Sequence, residues 1–105
     1  MSRLRIVSKG SGQWAIHGEL TFATIQRKWI DSPPFLRGRS IILDFSHVTN
    51  TDSAGLALMI EWVKQTRQQR SQLQFRNVPP QLVNLAKLSG LDKTRYFSFK
   101  LKKTL

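Results

Sequence analysis

Cysteine is absent from the 105-residue sequence. The chain therefore forms no disulfide and has no thiolate that could serve as a nucleophile or a metal ligand. Long apolar runs are absent as well: the longest covers residues 56–60, whereas a membrane-spanning helix needs about 20 apolar residues. The first residues also lack the apolar stretch of a secretory signal. We therefore expect a cytoplasmic protein that does not itself cross a membrane.

Acidic residues are scarce, and their distribution argues against catalysis. Six Asp and Glu stand against 17 Lys and Arg, and they are scattered over all the predicted helices and strands. Such scattering places no pair of carboxylates for acid–base chemistry. His17 and His47 are far apart in the sequence and have no metal-ligand spacing, and no glycine-rich phosphate loop is present. We expect neither enzymatic activity nor a bound cofactor or metal.

The formal net charge of +11 is the abnormal feature of the composition. It is compatible with three classes of partner: nucleic acid, an anionic membrane surface or an acidic protein. No nucleic-acid-binding motif or basic–aromatic platform accompanies the charge, so nucleic acid is the least expected of the three. Basic residues are spread along the whole chain and concentrate only in the tail, at Lys93, Arg95, Lys100, Lys102 and Lys103.

The hydrophobic pattern predicts one α/β domain over residues 1–105, in which 92–105 form a basic C-terminal extension. Alternating and β-branched runs indicate strands, and apolar residues at helical spacing indicate helices. The predicted order is strands at 4–7 and 14–18, a helix at 22–30, a strand at 40–45, a helix at 52–70, a strand at 72–76, a helix from 78–80 to Gly90 and an edge strand at 96–101. This order predicts a mixed sheet of four to five strands with helices packed on it.

Residues 41–56 carry the most specific pattern in the sequence. An apolar run ending in Asp44-Phe45 leads through a short loop to Asp52-Ser53-Ala54-Gly55 at a predicted helix start. This arrangement resembles the signature of STAS domains, the fold of sulfate-transporter domains and anti-sigma-factor antagonists. His17-Gly18-Glu19-Leu20 is similar to the segment that closes the second strand in many of these domains. The resemblance covers roughly residues 4–91 and implies a STAS-like fold.

Two further segments resemble one subgroup of that family. Gly55-Leu56-Ala57-Leu58 and Leu85-Ala86-Lys87-Leu88 are similar to the MlaB-type proteins. The resemblance implies a non-catalytic cytoplasmic subunit of the ABC transporter that moves phospholipid between the membranes of Gram-negative bacteria and maintains outer-membrane lipid asymmetry. Such a subunit binds the transporter's ATPase subunit and supports its assembly and activity. The basic tail departs from the subgroup, although positive charge suits the anionic inner face of the membrane.

The helix at 52–70 is the predicted docking element. Helical spacing places Leu56, Met59, Ile60, Val63 and Arg67 on the side towards the sheet, with the Arg67 charge extending past its end. Leu58 and Trp62 lie nearly opposite. A large aromatic side chain on an outer helix face is typical of a protein interface, although Trp62 could instead pack under a neighbouring helix or loop. The predicted partner-binding residues are Ser53, Ala54, Gly55, Leu58, Glu61, Trp62 and Gln65.

The residues at and before the helix start have structural interpretations, and Ser53 and Gly55 each have a second, functional one. Asp52 and Ser53 are placed to cap the helix, and Asp44 to organise the loop as a hydrogen-bond acceptor. The resemblance also implies that Ser53 occupies the position that anti-sigma-factor antagonists phosphorylate, in which case the partner is an anti-sigma kinase. For a MlaB-like chain we favour capping and contact over phosphorylation. Gly55 either admits a partner's backbone or permits tight packing within the chain.

Overall fold

The computed structural model describes residues 3–91 and the backbone of residues 99–101. It has five strands and three helices in the described part of the chain. In chain order they are β1 (Arg5–Gly10), β2 (Gln13–Leu20), α1 (Arg27–Asp31), β3 (Ser40–Thr51), α2 (Ser53–Gln68), β4 (Gln72–Val78), α3 (Pro80–Leu88) and β5 (Phe99–Leu101). None of these helices is both long and apolar enough to span a bilayer.

The strands form one sheet in the order β1-β2-β3-β4-β5. β1 and β2 are an antiparallel hairpin, and the remaining neighbours are parallel. The predicted mixed sheet with packed helices is therefore confirmed. β5 lies within the segment predicted as a basic extension, and it pairs with β4 as the fifth strand.

One face of the sheet forms the core with α2 and α3. Alternate residues of β3, namely Ile41, Leu43 and Phe45, are buried there, as period-two alternation requires of a strand covered on one face. α2 supplies Leu56, Met59 and Val63 to the same core, and Ile60 packs against it partly buried. The predicted sheet-facing side of this helix is therefore confirmed for its apolar residues, while Arg67 is exposed. From α3 come Leu82, Val83 and Ala86.

The helix predicted at 22–30 is wrong, because only Arg27–Asp31 are helical. Ahead of this short helix, Thr21 and Thr24 turn the backbone away from a helical path. The hydroxyl of Thr24 donates to the Glu19 carbonyl at 2.6 Å and accepts the Thr21 N–H at 3.0 Å. Such local side-chain bonds compete with helical ones. The apolar spacing of this stretch serves another purpose: residues 21–38, hereafter the covering segment, lie across the outer side of α2.

The prediction that Leu58 and Trp62 are exposed on the outer side of α2 is also wrong. Trp62 is 0% exposed and Leu58 is 3% exposed. The Trp62 ring meets Phe35 edge to face at 5.2 Å, and its Nε1–H donates to the Trp29 carbonyl at 2.9 Å. The alternative, in which Trp62 packs under a neighbouring segment, is the one observed. α2 is thus enclosed by the sheet on one side and by the covering segment on the other.

Replacing this tryptophan tests whether the covering segment depends on it. We expect Trp62→Ala to lower the free energy of unfolding by about 3–5 kcal/mol, because it leaves a large cavity between α2 and the covering segment. Trp62→Phe keeps an aromatic ring against Phe35 and loses the indole donor and part of the ring volume, so it should cost clearly less than Trp62→Ala. Urea unfolding measures both values. An unchanged unfolding midpoint in Trp62→Ala would contradict the packing described.

Candidate docking surface at the start of helix α2

Asp52 joins the start of α2 to the covering segment. Its Oδ1 accepts the Ala54 N–H at 2.9 Å, which caps the helix, and its Oδ2 accepts the Phe22 N–H at 3.1 Å. A capping carboxylate at a helix start is stabilising because the first N–H groups have no partner within the helix. Here the same side chain also fixes the position of Phe22 beside the helix.

Gly55 lets α2 begin in direct contact with the end of β2. A Cβ atom at this position would lie 2.6 Å from Thr51 Oγ1 and 2.9 Å from the Leu20 carbonyl oxygen. Both distances are shorter than a carbon atom tolerates. Thr51 itself donates to that Leu20 carbonyl at 3.1 Å. Of the two interpretations of Gly55, the structure therefore shows close packing within the chain.

An apolar groove runs between the covering segment and the first turns of α2. Its volume is about 420 Å³. Phe22 is 85% exposed there and Ile30 is 37% exposed. The residues that line this groove, hereafter the α2 groove, are Phe22, Ile25, Ile30, Ala54, Ala57, Leu58 and Glu61. A contiguous apolar patch around one acidic group is typical of a surface that another molecule covers.

The predicted partner-binding residues divide between this groove and the interior. Ala54, Leu58 and Glu61 line the groove, and Ser53 is exposed at the first position of α2. Gly55 and Trp62 are buried and make their contacts within the chain.

Polar contacts hold the wall of the groove on the α2 side. The Gln65 Nε2 donates to the Ile30 carbonyl at 2.5 Å, so the far end of the groove is bound to α1. The carboxylate of Glu61 lies 3.8 Å from the Lys64 ammonium. Both ends of the groove are therefore fixed to the covering segment, one through Asp52 and the other through Gln65.

Sequence reasoning missed Phe22, Ile25 and Ile30 as members of the surface. The apolar spacing of residues 22–30 predicts a helix there. The signal that could have found them is the pair Thr21 and Thr24 on either side of Phe22, because threonine hydroxyls form local hydrogen bonds that compete with a helix. The covering segment carries these three side chains to α2 instead.

Asp44 lies within β3 and joins this strand to β4 rather than lining the groove. Its Oδ1 accepts the Ser46 N–H and an Asn77 amide N–H, both at 2.9 Å, and its Oδ2 accepts the Ser46 hydroxyl at 3.0 Å. Partial burial raises the pKa of Asp44, but the hydrogen bonds from Asn77 and Ser46 outweigh it and hold that pKa below its ordinary value. This carboxylate is an acceptor that ties β3 to β4.

Comparison with solved structures places this architecture among known folds. The phosphorylated cell-fate determinant SpoIIAA of Bacillus is similar at 17% identity and a TM-score of 0.64, over 94% of this chain and 92% of that one. An anti-sigma factor antagonist of Thermotoga maritima is similar at 19% identity and 0.66, over 97% and 87%. A sulfate transporter family protein of Wolinella succinogenes is similar at 17% identity and 0.61, over 92% and 82%. At these identities the likeness shows the fold alone.

Sequence comparison assigns the family. No curated protein matches the chain. A family model described as "Mlab, STAS domain" matches residues 8–102, which include β2, β3, α2, β4, α3 and β5. The match contains the Asp52–Gly55 helix start and Asp44 of β3, from which the family was expected. The chain therefore belongs to this family of STAS domains.

Proposed function

We propose that this chain is a non-catalytic STAS subunit of an ABC-type phospholipid transport system that maintains outer-membrane lipid asymmetry. In this function it binds the cytoplasmic ATPase subunit through the α2 groove and supports the assembly and activity of the transporter. The observation that carries the proposal is the open apolar groove. It lies beside the Asp52–Gly55 helix start, which is the segment that resembles the family. The description of the matching family model supports the choice of transporter.

The α2 groove has the chemistry of a protein-binding surface. Burying a largely exposed Phe side chain contributes about 1.5–3 kcal/mol, and Phe22 is the most exposed side chain in the groove. Ala54 and Ala57 are small, so a partner helix or loop can approach α2 closely. Glu61 adds one carboxylate at the rim that can receive a basic or hydrogen-bonding group.

The groove is also held in place before a partner arrives. Asp52 bonds to the backbone of Phe22, and Gln65 bonds to the backbone of Ile30. Ordering flexible groups on binding costs free energy, so a surface that is already ordered binds more tightly for the same contacts. The partner therefore meets a formed groove between two fixed ends.

The basic surface supports a location at the cytoplasmic face of the inner membrane. A net charge of +11 is attracted to anionic lipid headgroups within about a Debye length. In this arrangement the ATPase subunit positions the chain near the membrane, and the basic residues add a weaker contact with the lipid surface. An association with the membrane through these charges requires no membrane-spanning segment.

Two substitutions test whether the α2 groove binds the ATPase. We expect Phe22→Ala to weaken binding about tenfold or more, because it removes the most exposed apolar side chain of the groove. Ala57→Arg should weaken it similarly by filling the groove. Isothermal titration of the purified ATPase subunit from the same organism measures the dissociation constants.

Matched controls exist for both variants. Leu88 on α3 is 86% exposed, so Leu88→Ala removes an equally exposed apolar side chain outside the groove. Gln81→Arg adds the same single positive charge as Ala57→Arg on the exposed surface of α3. Both controls should keep affinities within about twofold of the original. An equal loss in variants and controls, or wild-type affinity in Phe22→Ala and Ala57→Arg, would refute binding through the groove.

The second candidate function is that of an anti-sigma factor antagonist, with an anti-sigma kinase as its partner. The observation that favours it is the exposure of Ser53 at the first position of α2. The free N–H groups and partial positive charge of a helix start would tolerate a phosphate there. The known structures of similar fold include anti-sigma factor antagonists.

A charge at Ser53 separates the two functions. Because Ser53 does not line the α2 groove, we expect Ser53→Glu to change ATPase affinity by less than about threefold, the scale of an exposed charge effect. Ser53→Ala is the uncharged control. Capture of a serine kinase that phosphorylates the chain, together with loss of that capture in Ser53→Glu, would instead establish the antagonist function.

A further inference from the structure

A second surface lies on the other face of the sheet, and a register shift builds it. Ala15 of β2 pairs with Asp44 of β3, but two residues later His17 pairs with His47. β3 therefore carries one extra residue at this point, which is a β-bulge. Because a bulge re-aims the side chains that follow it, His47 turns to the side of His17, and Val48 packs against the core.

The two imidazole rings stack directly on one another. Their centroids are 4.4 Å apart and their planes differ by 6°. His17 also pairs with Arg5 of β1 across the hairpin. β1 and β3, which flank β2, thus bring the Arg5 guanidinium and the His47 imidazole to His17. These groups lie on the face of the sheet that α2 and α3 do not cover.

These groups line a concavity of about 520 Å³, hereafter the histidine concavity. Its lining contains two arginines, two histidines and two hydroxyl side chains: Arg3, Arg5, His17, His47, Ser46 and Thr49. No carboxylate lines it in the described part of the chain. The carboxylate of Asp44, which acts on His17, is engaged by Ser46 and Asn77. The concavity therefore presents hydrogen-bond donors of positive or neutral charge.

His17 has unused hydrogen-bonding capacity at this site. Its Nε2 is buried and has no hydrogen-bond partner among the described residues, which is uncommon for a buried polar atom. Burial lowers the pKa of His17, and the neighbouring positive charges of His47, Arg5 and Lys9 lower it further, while Asp44 opposes them. An anion in the concavity would offset the repulsion from these neighbours.

We propose that the histidine concavity binds a phosphate-type oxyanion, held by Arg5 and the His17–His47 pair. Guanidinium and imidazolium groups form the strong, charge-assisted hydrogen bonds that such oxyanions accept. The volume lies within the range of about 300–1,000 Å³ that small-molecule sites occupy, so it admits an organic phosphate as well as the bare ion. The site lies apart from the α2 groove and does not depend on the proposed transporter function.

Anion binding is linked to protonation of His17. The groups that face His17 are Arg5 and Lys9 of β1, and His47 and Asp44 of β3. An anion beside them stabilises the protonated imidazole and raises its pKa, so protonation must in turn strengthen anion binding. Affinity for an anion of constant charge should therefore rise as the pH falls through the histidine pKa. Sulfate keeps its charge over this range and is the suitable probe.

The experiment uses the full chain and follows the imidazole NMR resonances of His17 and His47. Sodium sulfate and glycerol 3-phosphate are titrated at constant ionic strength, and flotation with phosphatidylglycerol vesicles tests a lipid headgroup. We expect sulfate to bind about fivefold more tightly at pH 5.5 than at pH 7.5. Arg5→Gln should weaken it about tenfold, because a charged donor is lost. Arg37→Gln removes the same charge elsewhere and should change it by less than about twofold.

The outcomes distinguish the source of the anion. Binding of the soluble anions with these dependences supports the site for free phosphates. Binding of vesicles alone, weakened by Arg5→Gln and not by Arg37→Gln, supports it for a lipid headgroup. Equal weakening in both variants would show diffuse charge attraction and overturn the proposal. Unshifted His17 and His47 resonances in the wild-type chain, with no vesicle binding, would overturn it whether or not Arg5→Gln folds.

Discussion

The carboxylate of Asp52 is the interaction on which the functional surface of this protein depends. One of its oxygens caps α2 and the other holds the backbone of Phe22. Without the first bond the helix start would have an unpartnered N–H group, and without the second the Phe22 end of the covering segment would lose its bond to the helix start, while Trp62 and Gln65 would still hold the rest of the segment. Because Gly55 brings that helix start against β2, a single residue connects the sheet, the helix and the apolar wall of the α2 groove.

The part of this arrangement that could be predicted from the sequence is local. The buried strand from residue 40 and the Asp52–Gly55 helix start lie within a short stretch, where capping chemistry and apolar spacing determine the backbone. The loop predicted between them is wrong, because β3 continues to Thr51. Leu56, Met59 and Val63 face the core as their spacing predicts, because a helix beside a sheet must bury one side. These residues also carried the resemblance from which the STAS fold was expected.

What could not be predicted depends on contacts between distant segments. Leu58 and Trp62 form a second apolar side of α2, and helical spacing does not reveal whether a partner or the same chain covers it. The chain covers it with residues 21–38. Their apolar spacing is close to that of a helix, but the local hydrogen bonds of Thr21 and Thr24 turn the backbone away from one. The exposed apolar surface of the protein is consequently displaced from Trp62 to Phe22, next to the predicted position rather than on it.

The histidine concavity illustrates the same limit on the opposite face. His17 and His47 carry no recognisable spacing, and only the parallel pairing of β2 with β3 and one bulge bring their rings together. A register shift of this kind depends on the pairing of the whole sheet, so no local sequence pattern predicts the position of the bulge. The fold thus separates an apolar surface at α2 from a cationic surface on the uncovered sheet face, and each can engage a chemically different partner.

We propose that this protein meets the ATPase of a transporter at the α2 groove. Photo-cross-linking from a benzoylphenylalanine at position 57 tests it directly in intact cells, with the same group at position 81 as the control. We predict an adduct with the ATPase subunit from position 57 and none from position 81. An adduct from position 81 alone, or from position 57 with a soluble kinase instead, would contradict the account.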